Sequence, residues 1–394
     1  MTSPGTSNGT NSALSDSLLS GLSERQKEAA SYTDGPLLIV AGPGSGKTRV
    51  MSHRLAYLTG AKGIPPYRIL AVTFTNKAAR ELRERCQRLV PSAADQLRVF
   101  TFHSFCALML RYDGEYVGLK QGFTIYDDDD QSRVIRRILL DMDIDPKQFP
   151  VSQIRSIISS AKNKMTTPSM FLKMAETYVE EVTGRVYEKY QEALSRANAA
   201  DFDDLLLKSF QLLESNADVL EKYQQRYEHV LVDEFQDTNA LQFNIARLLS
   251  AKHRNLCVVG DPDQSIYSWR HADPSNLTDF RKTFPEAKIV TLDQSYRSTQ
   301  IILEAADAVI SNNEDRMEKT LWTENERGSR VVVAEVFDEE GEARAVINEV
   351  ERLVKQHKVS RNNIAVMYRI NAQSRSLEVV CNRSGVPYRL VGGV

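Results

Sequence analysis

What this chain has little of narrows its class before any motif is read. No apolar run approaches the roughly 18 residues a membrane-crossing helix needs, so none is expected and no membrane partner is implied. Cysteine is scarce: Cys86, Cys106, Cys257 and Cys381 are scattered and never form a CxxC pair. Neither a zinc site nor a disulfide framework is expected, and the usage fits a reducing, cytoplasmic setting. Charge of one sign is also missing, the net value being −2. A protein that held nucleic acid through a cationic surface would be basic, so any such binding here must use a local groove and stacking. Residues 1–20 lack a positive start and a long apolar centre, which argues against a signal peptide. They are rich in Ser, Thr, Asn and Gly, and a disordered tail is expected.

What is present is enough apolar material, 42% of 394 residues, for two or three packed domains. One stretch organises the rest. The apolar run 37–40 reads as a buried strand, and Ala41, Gly42, Pro43, Gly44, Ser45, Gly46, Lys47 and Thr48 follow. Helical apolar spacing then begins at Val50. Strand, glycine turn and helix are the context a phosphate-binding loop requires. Its backbone N–H groups wrap phosphates, Lys47 reaches the β- and γ-phosphates, and the Thr48 hydroxyl ligates Mg²⁺. Ala41 departs from the pattern, which usually opens with glycine. Upstream, Gln26 could read an adenine edge, although alone it reads better as an exposed helix residue.

A second strand, 69–74, runs into a helix over 78–89, and a third spans 97–102. Ligands gather at the carboxyl ends of such strands, so Thr73, Phe74, Thr75, His103 and Ser104 should share a rim with the phosphate loop. Phe74 and Phe102 read equally well as core. Residues 106–200 lose the strand pattern and read as an inserted helical domain, with Asp127–Asp130 as a helix start rather than a metal site. The strand at 229–232 ends in Asp233 and Glu234. Two carboxylates there suit an Mg²⁺ ligand, Asp233, and a base for the attacking water, Glu234. After a strand at 255–260, Gln264 is placed to sense a γ-phosphate. Tyr267 and Trp269 lie in a polar loop where bases could stack on them, unless they pack between domains. From 291 a second α/β unit is expected, with strands at 331–336, 364–368 and 388–391 and helices at 342–354 and 374–384.

These blocks together resemble the superfamily 1 DNA helicases of the UvrD/PcrA/Rep type. The likeness covers residue 22 to the end and rests on the phosphate loop, TFTNKAA (73–79, including Asn76), TFHS (101–104), DFDDLL (201–206), VDEFQDTN (232–239), GDPDQSIYSWR (260–270) and SYRS (295–298), in family order. The resemblance implies an α/β fold of two RecA-like parallel-sheet lobes, the first at 21–105 and 201–290 and an incomplete second at 291–394. It implies ATP with Mg²⁺ as cofactors. Gln26 would contact adenine, Arg49 would lie against the base and Tyr296 would stack on it. Arg297 would be an arginine finger, and Arg270 would link the γ-phosphate to DNA. Phe74, Phe202, Tyr267 and Trp269 match base-stacking positions, while Thr73, Thr75 and His103 match DNA-backbone and nearby positions. The implied activity is 3′ to 5′ movement on single-stranded DNA and on junctions with a 3′ tail, in excision or mismatch repair. The implied partners are repair proteins, and the implied state is a monomer or DNA-induced dimer. Ser295 stands where the family usually has Asn. The family's later blocks, including a second arginine finger, do not follow, so a truncated chain that binds nucleotide weakly and turns it over poorly is expected. The competing expectations are a nucleotide-gated DNA-binding module without helicase activity and a P-loop ATPase acting on another substrate.

Overall fold

The strands expected around the phosphate loop are short and apolar on both faces, as parallel strands covered on both sides must be. In the computed structural model, which describes residues 7–268, 271–313 and 319–391, six of them form one parallel sheet. They are β1 (Leu37–Ala41), β2 (Ile69–Thr73), β3 (Arg98–Thr101), β6 (His229–Val232), β7 (Leu256–Gly260) and β8 (Lys288–Leu292), in the order β3-β2-β6-β7-β1-β8. β4 (Thr124–Tyr126) and β5 (Ala199–Asp201) pair separately. Residues alternate across the main sheet. Leu38, Val40, Leu70, Val72, Val230 and Val258 face one core with helices Phe102–Asp113, Phe202–Ser215 and Ala240–Ser250. Leu37, Ile39, Ala71, Leu231, Cys257 and Val290 face another with helices Lys47–Ala56 and Asn76–Leu89.

The expected helical insertion is present but narrower than 106–200. Cys106, Met109, Leu110, Leu119 and Phe123 belong to the sheet's own core. A separate core, from Ile135 to Ala199, joins helices Asp128–Asp141, Val151–Asn163 and Tyr178–Arg196. Asp127 caps the first of these by accepting from Asp129 N and Asp130 N, the helix-start role expected for the acidic run. At the base of the insertion Lys162 is fully buried, 2.6 Å from Asp201 and 2.9 Å from Asp204.

Two expectations are corrected. The tail over 1–20 is helical from Ser7 to Leu19. Leu18 is buried in the second core, and its carbonyl meets His53 Nδ1 at 2.6 Å. The Leu14/Leu18 pair, one turn apart, outweighs the polar composition around it. β8 closes the edge of the first sheet, and the first compact unit continues through Gly328. Finally, the second unit, Ser329–Val394, has its two helices, Glu339–Gln356 and Ser374–Ser384, but none of its three expected strands among the described residues. Those helices bury Ala343, Ile347, Val350, Val380 and Cys381 together. Val333, Phe337 and Met367 stay 93%, 101% and 91% exposed, because a parallel strand needs neighbours and two covered faces.

Candidate nucleotide and nucleic-acid site

The turn after β1 can be tight only because glycine supplies it. Gly44 and Gly46 have φ of 73° and 88°, and a Cβ on Gly44 would lie 2.6 Å from Arg297 Cβ. Gly46 caps helix Lys47–Ala56 with no side-chain hydrogen bond, so the first N–H groups of that helix are left for an anion. Ser45 Oγ donates to Gly42 O at 2.8 Å and holds the loop closed.

Across from the loop, β6 delivers two carboxylates. Glu234 has φ 49° and ψ 48°, the left-handed region, which aims its side chain back at the loop. Its Oε2 lies 3.9 Å from Lys47 Nζ. Asp233 is buried, and burial first and Glu234 second push its carboxyl up to about 7, against the pull of the Glu234 N–H and Lys47. Two crowded carboxylates with one nearby lysine fit a divalent cation, which Asp233 and Thr48 would hold. Gln236 ties the region together: Nε2 donates to Glu234 Oε2 at 2.8 Å, and Oε1 accepts from Asp261 N at 2.9 Å. Gln264 in turn donates to Asp261 Oδ2.

Beside the loop is a slot of about 200 Å³ lined by Gln26, Ser45, Gln294, Tyr296 and Trp322. Gln26 is buried rather than exposed. Its Nε2 donates to Ser45 O at 2.9 Å and its Oε1 accepts from Ser23 N at 3.1 Å, so it closes a capping box and braces the loop at once. Arg54, on the loop's own helix, secures the helix carrying Gln26 by donating to Ala29 O at 3.1 Å. Tyr296 is 46% exposed and its N–H donates to Gly44 O at 3.0 Å. Arg297 is also exposed next to Gly44, within the first compact unit. Arg49 is not among the residues lining the slot: its guanidinium donates to Gly21 O at 2.9 Å, in the turn after the first helix.

The rim residues form a groove of about 710 Å³ between the sheet and the insertion. Thr73, Phe74, Thr75, His103, Phe202 and Glu234 all line it. Phe74 is half-buried and faces Tyr267, with ring centroids 4.8 Å apart, while Phe102 is core. His103 meets Phe202 edge-on at 6.0 Å, and Phe202 is 46% exposed. A second hollow of about 410 Å³, lined by Asn76, His103, Phe202 and Arg111, opens on the other side of that pair. Thr75 Oγ1 accepts from Ala78 N and Thr73 Oγ1 donates to Thr75 O, so both hydroxyls also shape the turn. Trp269 and Arg270 lie outside the described residues.

Sequence reasoning missed Gln236, Trp322 and Lys319. Gln236 lies inside the acidic block and Trp322 is one of only two tryptophans, both usable signals. Lys319 carried none, since its partner Asp261 is 58 residues away.

The chain matches the family model described as the UvrD/REP helicase N-terminal domain over residues 22–285. It matches that of the UvrD-like helicase C-terminal domain over 290–394. It is 45% identical over 380 residues to the ATP-dependent DNA helicase PcrA of Bacillus subtilis, covering 96% of this chain and 51% of the relative. To the PcrA of Staphylococcus aureus strain Mu50 it is 46% identical, covering 96% and 52%, and to that of Leuconostoc citreum 44%, covering 96% and 51%. The chain therefore spans about half the length of the curated relatives it matches.

Proposed function

The chain belongs to the UvrD/REP helicase family, and from that premise we propose that it acts as an ATP-dependent DNA helicase or translocase moving 3′ to 5′ on single-stranded DNA. Repair of damaged or mismatched DNA and a cytoplasmic location go with this reading, as do junctions with a 3′ tail as substrates. The relatives' name, ATP-dependent DNA helicase, supports the substrate and the fuel. The observation that carries the reading is one groove lined by Glu234, the half-buried ring of Phe74 and the exposed ring of Phe202.

The chemistry follows from the residues. The uncapped helix start and Lys47 neutralise the phosphates of a bound nucleotide. Gln26 reads the base edge, and Tyr296 offers it an exposed ring. Glu234 takes the proton from the attacking water, held at the right angle by Gln236. Gln264 reads the γ-phosphate, and Arg297 supplies charge beside the loop. Magnesium, carried by Thr48 and Asp233, would offset phosphate charge. Unpaired bases stack on the rings of Phe74, Tyr267 and Phe202, a contact of about 1–3 kcal/mol each. From the family resemblance alone, Trp269 and Arg270 are assigned to DNA contact as well.

ATP turnover with and without a single-stranded oligonucleotide tests the reading, followed by strand displacement from duplexes with 3′ or 5′ tails. Turnover should rise with DNA, and the 3′-tailed duplex should open. Turnover indifferent to DNA would remove the motor reading. A second reading, a nucleotide-gated DNA-binding module, is favoured by the absence of any strand among the described residues of the second unit. It predicts nucleotide-dependent DNA affinity with no strand displacement.

A further inference from the structure

A lysine buried among carboxylates far from its own stretch of sequence needs a reason. Lys319 has a side chain only 1% exposed. Its Nζ lies against Asp261 Oδ1 and 2.9 Å from Asp263 Oδ2. Removing an ammonium from water costs several kcal/mol unless partners compensate. Two carboxylates supply that here.

The two oxygens of Asp261 have different tasks. Oδ1 meets Lys319 and also accepts from Asp263 N at 3.2 Å, and Oδ2 accepts from Gln264 Nε2. The Asp261 backbone is fixed independently, since its N–H donates to Gln236 Oε1 at 2.9 Å. Rotation of the carboxylate is thus the remaining freedom; the Asp263 N–H and Lys319 restrain it together, and Lys319 is the charged, non-local part of that restraint. Gln264 inherits the orientation.

Lys319 itself is delivered by a short segment docked beside the phosphate loop. Leu321 packs over Gly42. The Trp322 carbonyl accepts from Ser295 N at 2.8 Å, and its N–H donates to Asp293 O at 3.1 Å. Thr323 Oγ1 donates to Ser295 O at 2.7 Å. The side chain of Trp322 lines the base slot with Tyr296. One segment therefore lines the base slot through Trp322 and reaches Gln264 indirectly, through Lys319 and the Asp261 carboxylate.

We infer that Lys319 is a positioning residue for Gln264: through Asp261 it holds the glutamine where a third phosphate is distinguished from its absence. The inference rests on the nucleotide reading above and assigns Lys319 no contact with the nucleotide. It predicts an effect on discrimination rather than on binding in general.

The test is the affinity of this 394-residue chain for ATPγS and for ADP, measured by isothermal titration with magnesium present. The wild-type chain should prefer ATPγS. Lys319→Met should reduce that preference by about tenfold or more, the value of a charge-supported hydrogen bond, with ADP affinity within about twofold. Lys319→Arg should retain most of it. If Lys319→Met does not fold, Asp263→Asn loosens the same clamp while leaving Asp261 paired, and should lower the preference by a smaller factor. A folded Lys319→Met or Asp263→Asn with the wild-type preference overturns the inference. So does an equal loss for both nucleotides, which marks a merely structural lysine. If the wild-type chain binds neither nucleotide, the nucleotide reading itself falls, a result distinct from the other two.

Discussion

Glu234 occupies backbone angles that a side chain adopts only at a cost of about 1–3 kcal/mol. It also stands beside Asp233, whose carboxyl its charge helps to raise to about 7. Both features cost stability, and both are explained by a need to face Lys47 across the loop. Glu234→Gln separates the two consequences. Hydrolysis should fall by about 10²-fold or more, while nucleotide binding persists. Stability should rise by up to about 1 kcal/mol as Asp233 loses its charged neighbour. The sign with pH is fixed. The folded Asp233 keeps its proton up to about 7 and the unfolded one releases it near 3.8, so the group favours the fold at low pH and that advantage disappears as pH climbs through 7. The gain in Glu234→Gln should therefore be small at pH 5 and larger at pH 8, read by thermal melts of both proteins. Near-normal turnover in the variant would take the base role away from Glu234.

At the scale of elements, β6 opens on a histidine that its surroundings keep neutral. Burial first, then Arg54, lowers His229 to about 4, and its Nδ1 has no hydrogen-bond partner. The unfolded chain takes up that proton near 6.5, so stability present above pH 6.5 is lost as pH falls toward 4. Between pH 7 and pH 5 the loss amounts to about 2 kcal/mol. His229→Gln should melt with a smaller drop over that interval, and an equal drop in both proteins would clear the histidine. β6 also illustrates what could be read in advance. Its apolar run and terminal Asp233-Glu234 pair, like the glycine turn after β1, are local signals, and local signals were legible. Non-local geometry was not. Nothing near Gln26 announces that Ser45 O will bury it, and nothing near Arg49 announces Gly21 O. The helix Ser7–Leu19 was hidden for another reason, because one buried leucine outweighs a polar composition only once its partner surface exists. The strands expected after residue 328 failed for the converse reason: the pattern was there, but among the described residues the paired neighbours were not.

At the scale of the molecule, the question is how fuel and track communicate within the first unit. A path of contacts is in place. Lys47 faces Glu234, Gln236 joins Glu234 to Asp261, and Gln236 O accepts from Ser265 Oγ at 3.3 Å. Two residues on, Tyr267 meets Phe74 in the groove. On the proposed function, a nucleotide that draws on Lys47 and Glu234 would shift the loop that carries Tyr267. Coupling between two sites typically reaches about 5–150-fold in affinity, and is reciprocal. We expect the affinity for a fluorescent oligothymidylate, followed by anisotropy, to change by at least about fivefold when ATPγS and magnesium are added. Gln236→Ala cuts the path at its junction without touching either ligand, so each ligand should still bind alone while the change shrinks below about twofold. Tyr267→Ala should act at the other end, weakening the oligonucleotide more than the nucleotide. If Gln236→Ala kept the full change, the signal would have to travel by another route. If the wild type showed no change, the two sites would be neighbours without being a motor.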